Sequence, residues 1–328
     1  MIKISIRALP EKIRGNKSNL TKYLSLVSIV LMSVLFVVMN GNFLSARNIK
    51  NILMDISPIL VIAAGVALPL MLGSIDLSIG SIASCAAVML AVLLKEIGPW
   101  GYAVVILYGI FAGIANGLLH TVLRVPSFIV TLGTQLVWQS AAYIISGGQP
   151  LAMLPAVWPY VDWAKVTLFS SIPLLFLTAL LLTLLYYIFQ KHTPIGRTIL
   201  DAGANERAAR MSGMNVPKAK VVAFLLSGLG AAAGGIFFAA KLKSGIPTVG
   251  EQYTLMAIAS AVLGGVALTG GKGNILMTLM GALLITIIQN GMNVVGVDGL
   301  WQQVVFGALV LFAIYINSDK NRKDLIAK

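Results

Sequence analysis

Cutting this chain at every Lys, Arg, Asp and Glu leaves ten charge-free windows of 18 residues or more: 23–46, 56–75, 77–94, 97–123, 125–161, 166–190, 221–240, 252–271, 273–297 and 299–318. That spacing constrains the fold more than any other feature. A membrane-crossing helix needs about 20 mainly apolar residues. A charge at the bilayer centre costs roughly 2.5–3.5 kcal/mol on insertion scales, so charges retreat to helix ends. Charged residues make up only 11% of the chain, against about 25% in an ordinary soluble domain. A surface so short of charge suits lipid rather than water. The expected fold is an all-α integral membrane protein, a polytopic bundle of about ten transmembrane helices. The window at 125–161 is too long for one helix, and its Gly147–Pro159 half reads as loop.

The formal net charge of +13 could suit nucleic acid, but its distribution points to membrane topology instead. With ten helices and a cytoplasmic N-terminus, the inner segments are 1–22, 73–81, 120–126, 191–220, 269–274 and 318–328, and they hold 18 of the 24 Lys and Arg. Acidic residues split six to five between the two sides. That is the pattern of a rule driven by Lys and Arg, with anionic headgroups as the counter-charge. An even helix count places both termini in the cytoplasm. The chain therefore divides into a basic N-terminal segment (1–22), a transmembrane domain (23–317) with a polar loop at 193–220, and a cytoplasmic tail (318–328). The first apolar run reads as an uncleaved signal anchor. The lone Cys85 can form no intrachain disulfide.

Several smaller patterns carry expectations. The outer loop Gly147–Val166 is rich in Pro and aromatics, as an interfacial cap or a docking surface for an outside partner would be. Gly109, Gly113 and Gly117, and likewise Gly230 and Gly234, fall on single helix faces and permit close packing. Two glycine-rich breaks, Gly73–Ser81 and Gly264–Gly273, resemble each other and could be the trace of a duplicated half.

The 193–220 loop can be read residue by residue. Thr193 is a good N-cap and Pro194 suits a first helical turn. The helix is expected to reach about Ala202, with Gly203 as its left-handed terminator. Asn205 caps a second short helix, and Glu206 and Arg210 stand four apart in the favourable orientation. Gly213 ends it. Ala208, Ala209 and Ser212 are expected to form a small-residue face. So short a helix is not stable alone; it packs against its own bundle or against a cytosolic partner.

At this point the sequence resembles the permease subunits of bacterial ATP-binding-cassette sugar importers, in the ribose, xylose and arabinose branch. Their coupling loop carries a T-x-x-G-R-x-x-x-A-x-G-x-N-x-x-A-A-x-x-S-G-x-N-V-like run, matched here by Thr193, Gly196, Arg197, Gly203, Asn205, Ala208, Ala209, Ser212, Gly213, Asn215 and Val216. Asp201-Ala202 departs from the Ala-Leu or Ala-Ile more usual there. The stretches Gly73–Ser81, Pro126–Thr134 and Gly264–Gly273 also resemble family patterns, so the likeness covers most of residues 73–310.

The resemblance implies an ATP-driven importer of a simple, ribose-like sugar in the bacterial inner membrane. It implies three kinds of partner: a second permease chain, identical or related; a cytoplasmic ATP-binding subunit seated on Gly196, Arg197, Gly203, Asn205, Glu206, Ala208, Ala209, Ser212 and Gly213; and a periplasmic or extracellular sugar-binding protein. No cofactor is expected on this chain. ATP and magnesium belong to the partner, because G-x4-G-K-[ST] is absent; Gly270–Gly273 lacks both the first glycine and the Ser or Thr.

Polar residues inside the windows are candidates for a gate or substrate path: Asp76, Asn116, Gln139, Asn290 and Asn293, with Gln135 and Gln289 beside them. Asp76 reads equally as a helix cap at the cytoplasmic boundary, where its charge costs little. Interhelical hydrogen bonds explain the amides as readily as substrate does. His120 and His192 have no second ligand at metal-binding spacing. The rival class is a self-contained secondary carrier, but proton or sodium coupling usually leaves acidic groups in mid-span. Asp55, Asp76 and Asp298 are all expected near helix ends. A membrane-embedded enzyme lacks a nucleophile–base pair or a metal triad here.

Overall fold

An apolar run in lipid must satisfy its own backbone polar groups, and the helix does so within one segment. The computed structural model describes residues 17–168 and 171–317; most of the expected N-terminal segment and the whole 318–328 tail lie outside the described residues. The helices are α1 (Lys17–Met39), α2 (Ala46–Met71), α3 (Ile79–Ile97), α4 (Trp100–Val122), α5 (Ser127–Ser146), α6 (Leu174–His192), α7 (Pro194–Ala204), α8 (Glu206–Met211), α9 (Val216–Leu242), α10 (Glu251–Leu263), α11 (Ile275–Val295) and α12 (Gly299–Asn317). Seven of them, α2 to α6, α9 and α11, are long and apolar enough to cross a membrane.

Some boundaries differ from the charge-free windows. α2 starts ten residues before its window and carries Arg47, Lys50 and Asp55 in its first turns. Ser45 caps it, accepting from the Asn48 amide at 3.3 Å, and Asp55 pairs with Lys241 at the end of α9. Asp55 is tolerated there because it meets a cation at the end of a neighbouring helix. α10 stops after 13 residues, although its window runs on to 271. The chain turns at Gly264.

The core lies where α2 and α9 run antiparallel, with α4 packed on the other side of α9. Small residues make this approach possible. A Cβ on Gly117 would lie 2.8 Å from the Cα of Val221, and Gly65 and Gly230 meet backbone to backbone. The Gly109–Gly117 face thus packs on α9 around Gly228, whereas the Gly230 and Gly234 face packs on α2.

The duplication is real in the structure, but it does not pair the two glycine-rich breaks. Gly80 and Gly250 are 170 residues apart, and each is wedged against the carbonyl of the other. The same offset carries Ala46 onto Val216, the first residues of α2 and α9. It also carries Ser84, whose Oγ accepts from the Gly250 amide at 2.9 Å, onto Thr254, whose hydroxyl sits against Gly80. In each half a long helix is followed by a non-helical return segment, 72–78 or 243–250, and then by a helix that starts inside the bundle. α2 and α9 run antiparallel, so the halves α2–α5 and α9–α12 form an inverted repeat.

The aromatic loop after α5 folds down on the bundle. Strand β1 (Leu151–Ala152) pairs antiparallel with Ser244–Gly245, beyond the end of α9. Trp158 Nε1 donates to the Met153 carbonyl at 3.0 Å, and Trp163 Nε1 to the Tyr102 hydroxyl at 3.0 Å. Lys243 stands over the Trp158 ring and 2.6 Å from Asp162. These contacts tie the loop to the bundle.

Candidate functional site

The polar loop forms much as its capping residues dictate. Thr193 Oγ1 accepts from the Gly196 amide at 3.0 Å, and Asn205 Oδ1 accepts from the Ala208 amide at 3.1 Å. Asn215 Oδ1 then caps α9 through the Lys218 amide at 3.0 Å. Gly213 takes φ +77 and ends α8. Arg210 pairs with Glu206 at 2.7 Å, and Lys220 on α9 adds a second partner at 3.0 Å. Burial alone would push the Glu206 carboxyl up, but the hydrogen bonds and charges of these two cations outweigh it and hold the group below its ordinary value. The small loop α7–α8 is thereby tied to the first turn of α9.

Two expectations for the loop are corrected. Gly203 is not a left-handed terminator: α7 continues through it to Ala204. It is glycine because its Cα is pressed against the Met71 carbonyl and the Gly271 amide, leaving no room for a side chain. Nor do Ala208, Ala209 and Ser212 share one face. Ala208 and Ser212 are exposed, whereas Ala209 is 4% exposed and packs with Ala202 and Val216. One helical residue is a turn of about 100°, which separates neighbours 208 and 209. Met211, passed over in the sequence, is 82% exposed at the end of α8.

The loop meets both glycine-rich breaks at a single junction. The Gly271 amide donates to the Met71 carbonyl at 2.8 Å. A Cβ on Gly270 would lie 2.7 Å from the Gly73 nitrogen and 3.0 Å from the Gly203 carbonyl. Gln190, at the end of α6, closes the far side: its Nε2 donates to the Gly273 carbonyl at 3.0 Å, and its Oε1 accepts from the Ile275 amide at 3.1 Å. The two breaks that looked like repeat partners are instead contact partners.

Asp76 lies deeper than expected. It is fully buried, and its Oδ2 accepts from the Ser227 hydroxyl at 2.7 Å. Ser227 is seven residues past Lys220 on α9, about 10 Å along the helix axis. The carboxyl is therefore not at the boundary. Its Oδ1 accepts from the Ser78 amide at 3.0 Å and the Ser78 hydroxyl at 2.6 Å, so it also makes a local turn ahead of α3. Ser78 Oγ accepts from Asn116 Nδ2 at 2.8 Å, and Asn116 Oδ1 accepts from Thr134 at 2.7 Å. Asp76 and Asn116 are thus brought together, in one buried polar chain that runs from α9 through the break to α4 and α5.

Non-helical backbone at this depth needs partners, and α5 supplies them. The Ile75 amide donates to Ser127 Oγ at 3.0 Å and the Leu77 amide to Thr131 Oγ1 at 3.1 Å. Gln139, two turns further on, donates to the Pro247 carbonyl at 2.7 Å. One face of α5 therefore clamps both return segments. The i, i+4 spacing of Ser127 and Thr131 was the signal for this, hidden inside a motif noticed only for its family likeness.

Asn290 and Asn293 lie elsewhere. Asn290 Oδ1 accepts from Asn48 Nδ2 at 2.7 Å, and Asn293 Oδ1 accepts from Gln302 at 2.7 Å. With Asn51, Asp55 and Lys241 they line a cleft of about 390 Å3 at the opposite end of α2 from the junction. The five path candidates thus divide between the buried chain, the α5 clamp and this cleft. Among the described residues, no group of three or more His, Cys, Asp or Glu is placed to hold a metal.

Residues 48–314 match the family described as the branched-chain amino acid transport system permease component. The chain is 33% identical over 300 residues to the ribose import permease protein RbsC of Bacillus subtilis (strain 168), covering 90% of this chain and 92% of that one. It is 32% identical over 308 residues to RbsC of Escherichia coli (strain K12), covering 93% and 96%. It is also 32% identical over 329 residues to the galactose/methyl galactoside import permease protein MglC of the same strain, covering 93% and 97%. No solved structure is significantly similar. Helices suited to a membrane, a loop seated on two helix breaks, and a family match across most of the chain agree: the protein belongs to the permease-component family and is a transporter subunit rather than an enzyme.

Proposed function

We propose that this chain is the ten-span permease of an ATP-driven importer that carries a simple, ribose-like sugar across the inner membrane. In this reading α1, α10 and α12 join the seven apolar helices, both termini are cytoplasmic, and the 193–220 loop faces the cytosol. A second permease chain completes the pathway. A separate ATPase, holding ATP and magnesium, seats on the exposed Ala208, Met211 and Ser212. A sugar-binding protein delivers substrate from outside. The names of the ribose and galactose relatives support the sugar, and the concentration of Lys and Arg in alternate segments supports the orientation.

The observation that carries the reading is the junction of Gly203 with Met71 and Gly270. With no side chain between α7 and the two breaks, displacement of the loop is passed backbone to backbone into α2, α3 and the chain entering α11. Close-packed interfaces shift between discrete arrangements rather than deform smoothly. A push on α8 by a closing ATPase therefore moves the return segment that holds Asp76.

Uptake of labelled ribose, galactose and leucine, measured with and without the associated ATPase, tests the proposal. Sugar uptake that depends on the ATPase is the expected result. Uptake that survives deletion of every associated ATPase would instead establish a self-contained carrier. In intact cells, a Ser212→Cys variant is expected to resist impermeant thiol reagents. Labelling from outside overturns the orientation.

A further inference from the structure

A second cleft, of about 290 Å3, opens between the end of α6, the helix α7 and the start of α11, lined by Tyr187, Gln190, Lys191, Arg197, Leu200 and Asn274. α6 ends at His192 and α11 begins at Ile275. Both are apolar helices suited to a membrane, so the cleft lies at the level where a bilayer places its headgroups. Two cations line it. Lys191 Nζ donates to the Tyr187 hydroxyl at 2.9 Å and stands 5.4 Å from that ring's centroid. Arg197 is exposed on α7.

Among the described residues some cations are neutralised by a carboxylate and others, Arg47, Lys50, Arg124 and Lys272 among them, are not. Lys95, Arg210, Lys220, Lys241 and Lys243 each have a carboxylate partner. Among the described residues, neither Lys191 nor Arg197 has one. Two uncompensated cations with a phenol and two amides around a cavity recognise a phosphate: the guanidinium offers a planar fork and the ammonium a point charge. Leu200 gives the cleft an apolar edge.

We propose that this cleft binds the phosphate of an anionic phospholipid headgroup. Basic pockets between membrane helices suit such headgroups. The bound lipid has a structural consequence, because Gln190, which lines the cleft, also holds the Gly273 carbonyl and the Ile275 amide. Lipid occupancy therefore braces the same break that the 193–220 loop touches. The inference requires only that α6 and α11 end at one headgroup level, and it stands whether or not a sugar is the substrate.

The test uses the full-length chain, delipidated in mild detergent and titrated with short-chain phosphatidylglycerol, short-chain phosphatidylcholine and, separately, inorganic phosphate, with bound lipid counted by native mass spectrometry. Phosphatidylglycerol is expected to be retained about tenfold or more over phosphatidylcholine, from about 1 kcal/mol per basic residue at a membrane surface. The preference should vanish in Lys191→Gln/Arg197→Gln, persist in Lys191→Arg/Arg197→Lys, and persist in the control Lys95→Gln/Lys165→Gln. Size-exclusion elution at the wild-type position establishes that each variant is folded. An unchanged preference in the Gln variant overturns the proposal, as does an equal loss in the control. Displacement of lipid by inorganic phosphate at equal affinity assigns the site to a soluble anion and overturns the lipid. Loss of the co-purifying ATPase with lipid preference intact shows that the two cations face a protein, which also overturns it.

Discussion

The Gly271 amide donates to the Met71 carbonyl across 2.8 Å, joining the last turn of α2 to the break before α11. Gly203 of the polar loop closes on that same carbonyl. Three chain segments far apart in sequence thus share one point, and that point has no room for a side chain.

Gly203→Ala is therefore expected to abolish transport, because the added methyl meets backbone atoms of Met71 and Gly271 that have no free rotation to yield. The cost should exceed the 1–3 kcal/mol typical of overpacking. Gly213→Ala is the control. It takes φ +77 in open space, so only the left-handed backbone penalty of about 1 kcal/mol applies. Uptake and thermal stability of the two variants in detergent check the difference; equal effects would show that the junction is not tight.

Asp76→Asn and Asp76→Ala should differ sharply. The carboxyl accepts three hydrogen bonds, two from Ser78 on one oxygen and one from Ser227 on the other. Asn keeps an oxygen for Ser78, and its amide can donate to Ser227 once that hydroxyl rotates. Ala strands the buried donors, at about 1–3 kcal/mol for each. Melting in detergent should therefore fall much further for Ala. Normal melting of the Asn variant with complete loss of uptake would assign Asp76 a role in the gate beyond holding the break together.

Ala208→Trp and Ala209→Trp, neighbours in sequence, are predicted to fail differently. Ala208 is exposed, so Trp should block ATPase docking while the chain folds normally. Ala209 is buried against Ala202 and Val216, so Trp should unfold the loop itself. Co-purification of the ATPase and protease protection of residues 193–215 separate the cases. A docked, active Ala208→Trp variant rules out that face as the seat.

Lowered pH should loosen the loop in a defined window. Arg210 and Lys220 hold the Glu206 carboxyl below its ordinary value, so the unfolded loop binds the proton first as pH falls. Their stabilisation is complete above the unfolded glutamate pKa, about 4.3, and is lost as pH drops from there through the folded value. Proteolysis of the 193–215 segment should rise over that window in the wild type. Glu206→Gln should start less protected and show no such step.

Thr131→Val tests the α5 clamp. It preserves shape but removes the acceptor for the Leu77 amide, 3.1 Å away. The expected loss is about 1–3 kcal/mol of stability. Thr131→Ser, which keeps the hydroxyl, should recover most of it.

Charge spacing alone marked a chain of apolar helices suited to lipid and the approximate place of most of them, because a charge in hydrocarbon is too costly to place anywhere but an end or against a partner. The caps at Thr193, Asn205 and Asn215 were legible for a similar reason: each acts within three residues, so its geometry is local. Glycine was harder to interpret. Gly213 and Gly203 look alike in sequence, yet one turns the chain and the other admits a neighbouring backbone. The depth of Asp76, the inward face of Ala209, and the meeting of residues 73, 203 and 270 were decided only by the tertiary structure. Each depends on how the two inverted halves pack, and the Gly80–Gly250 wedge at their centre brings together atoms 170 residues apart. No local pattern carries that distance.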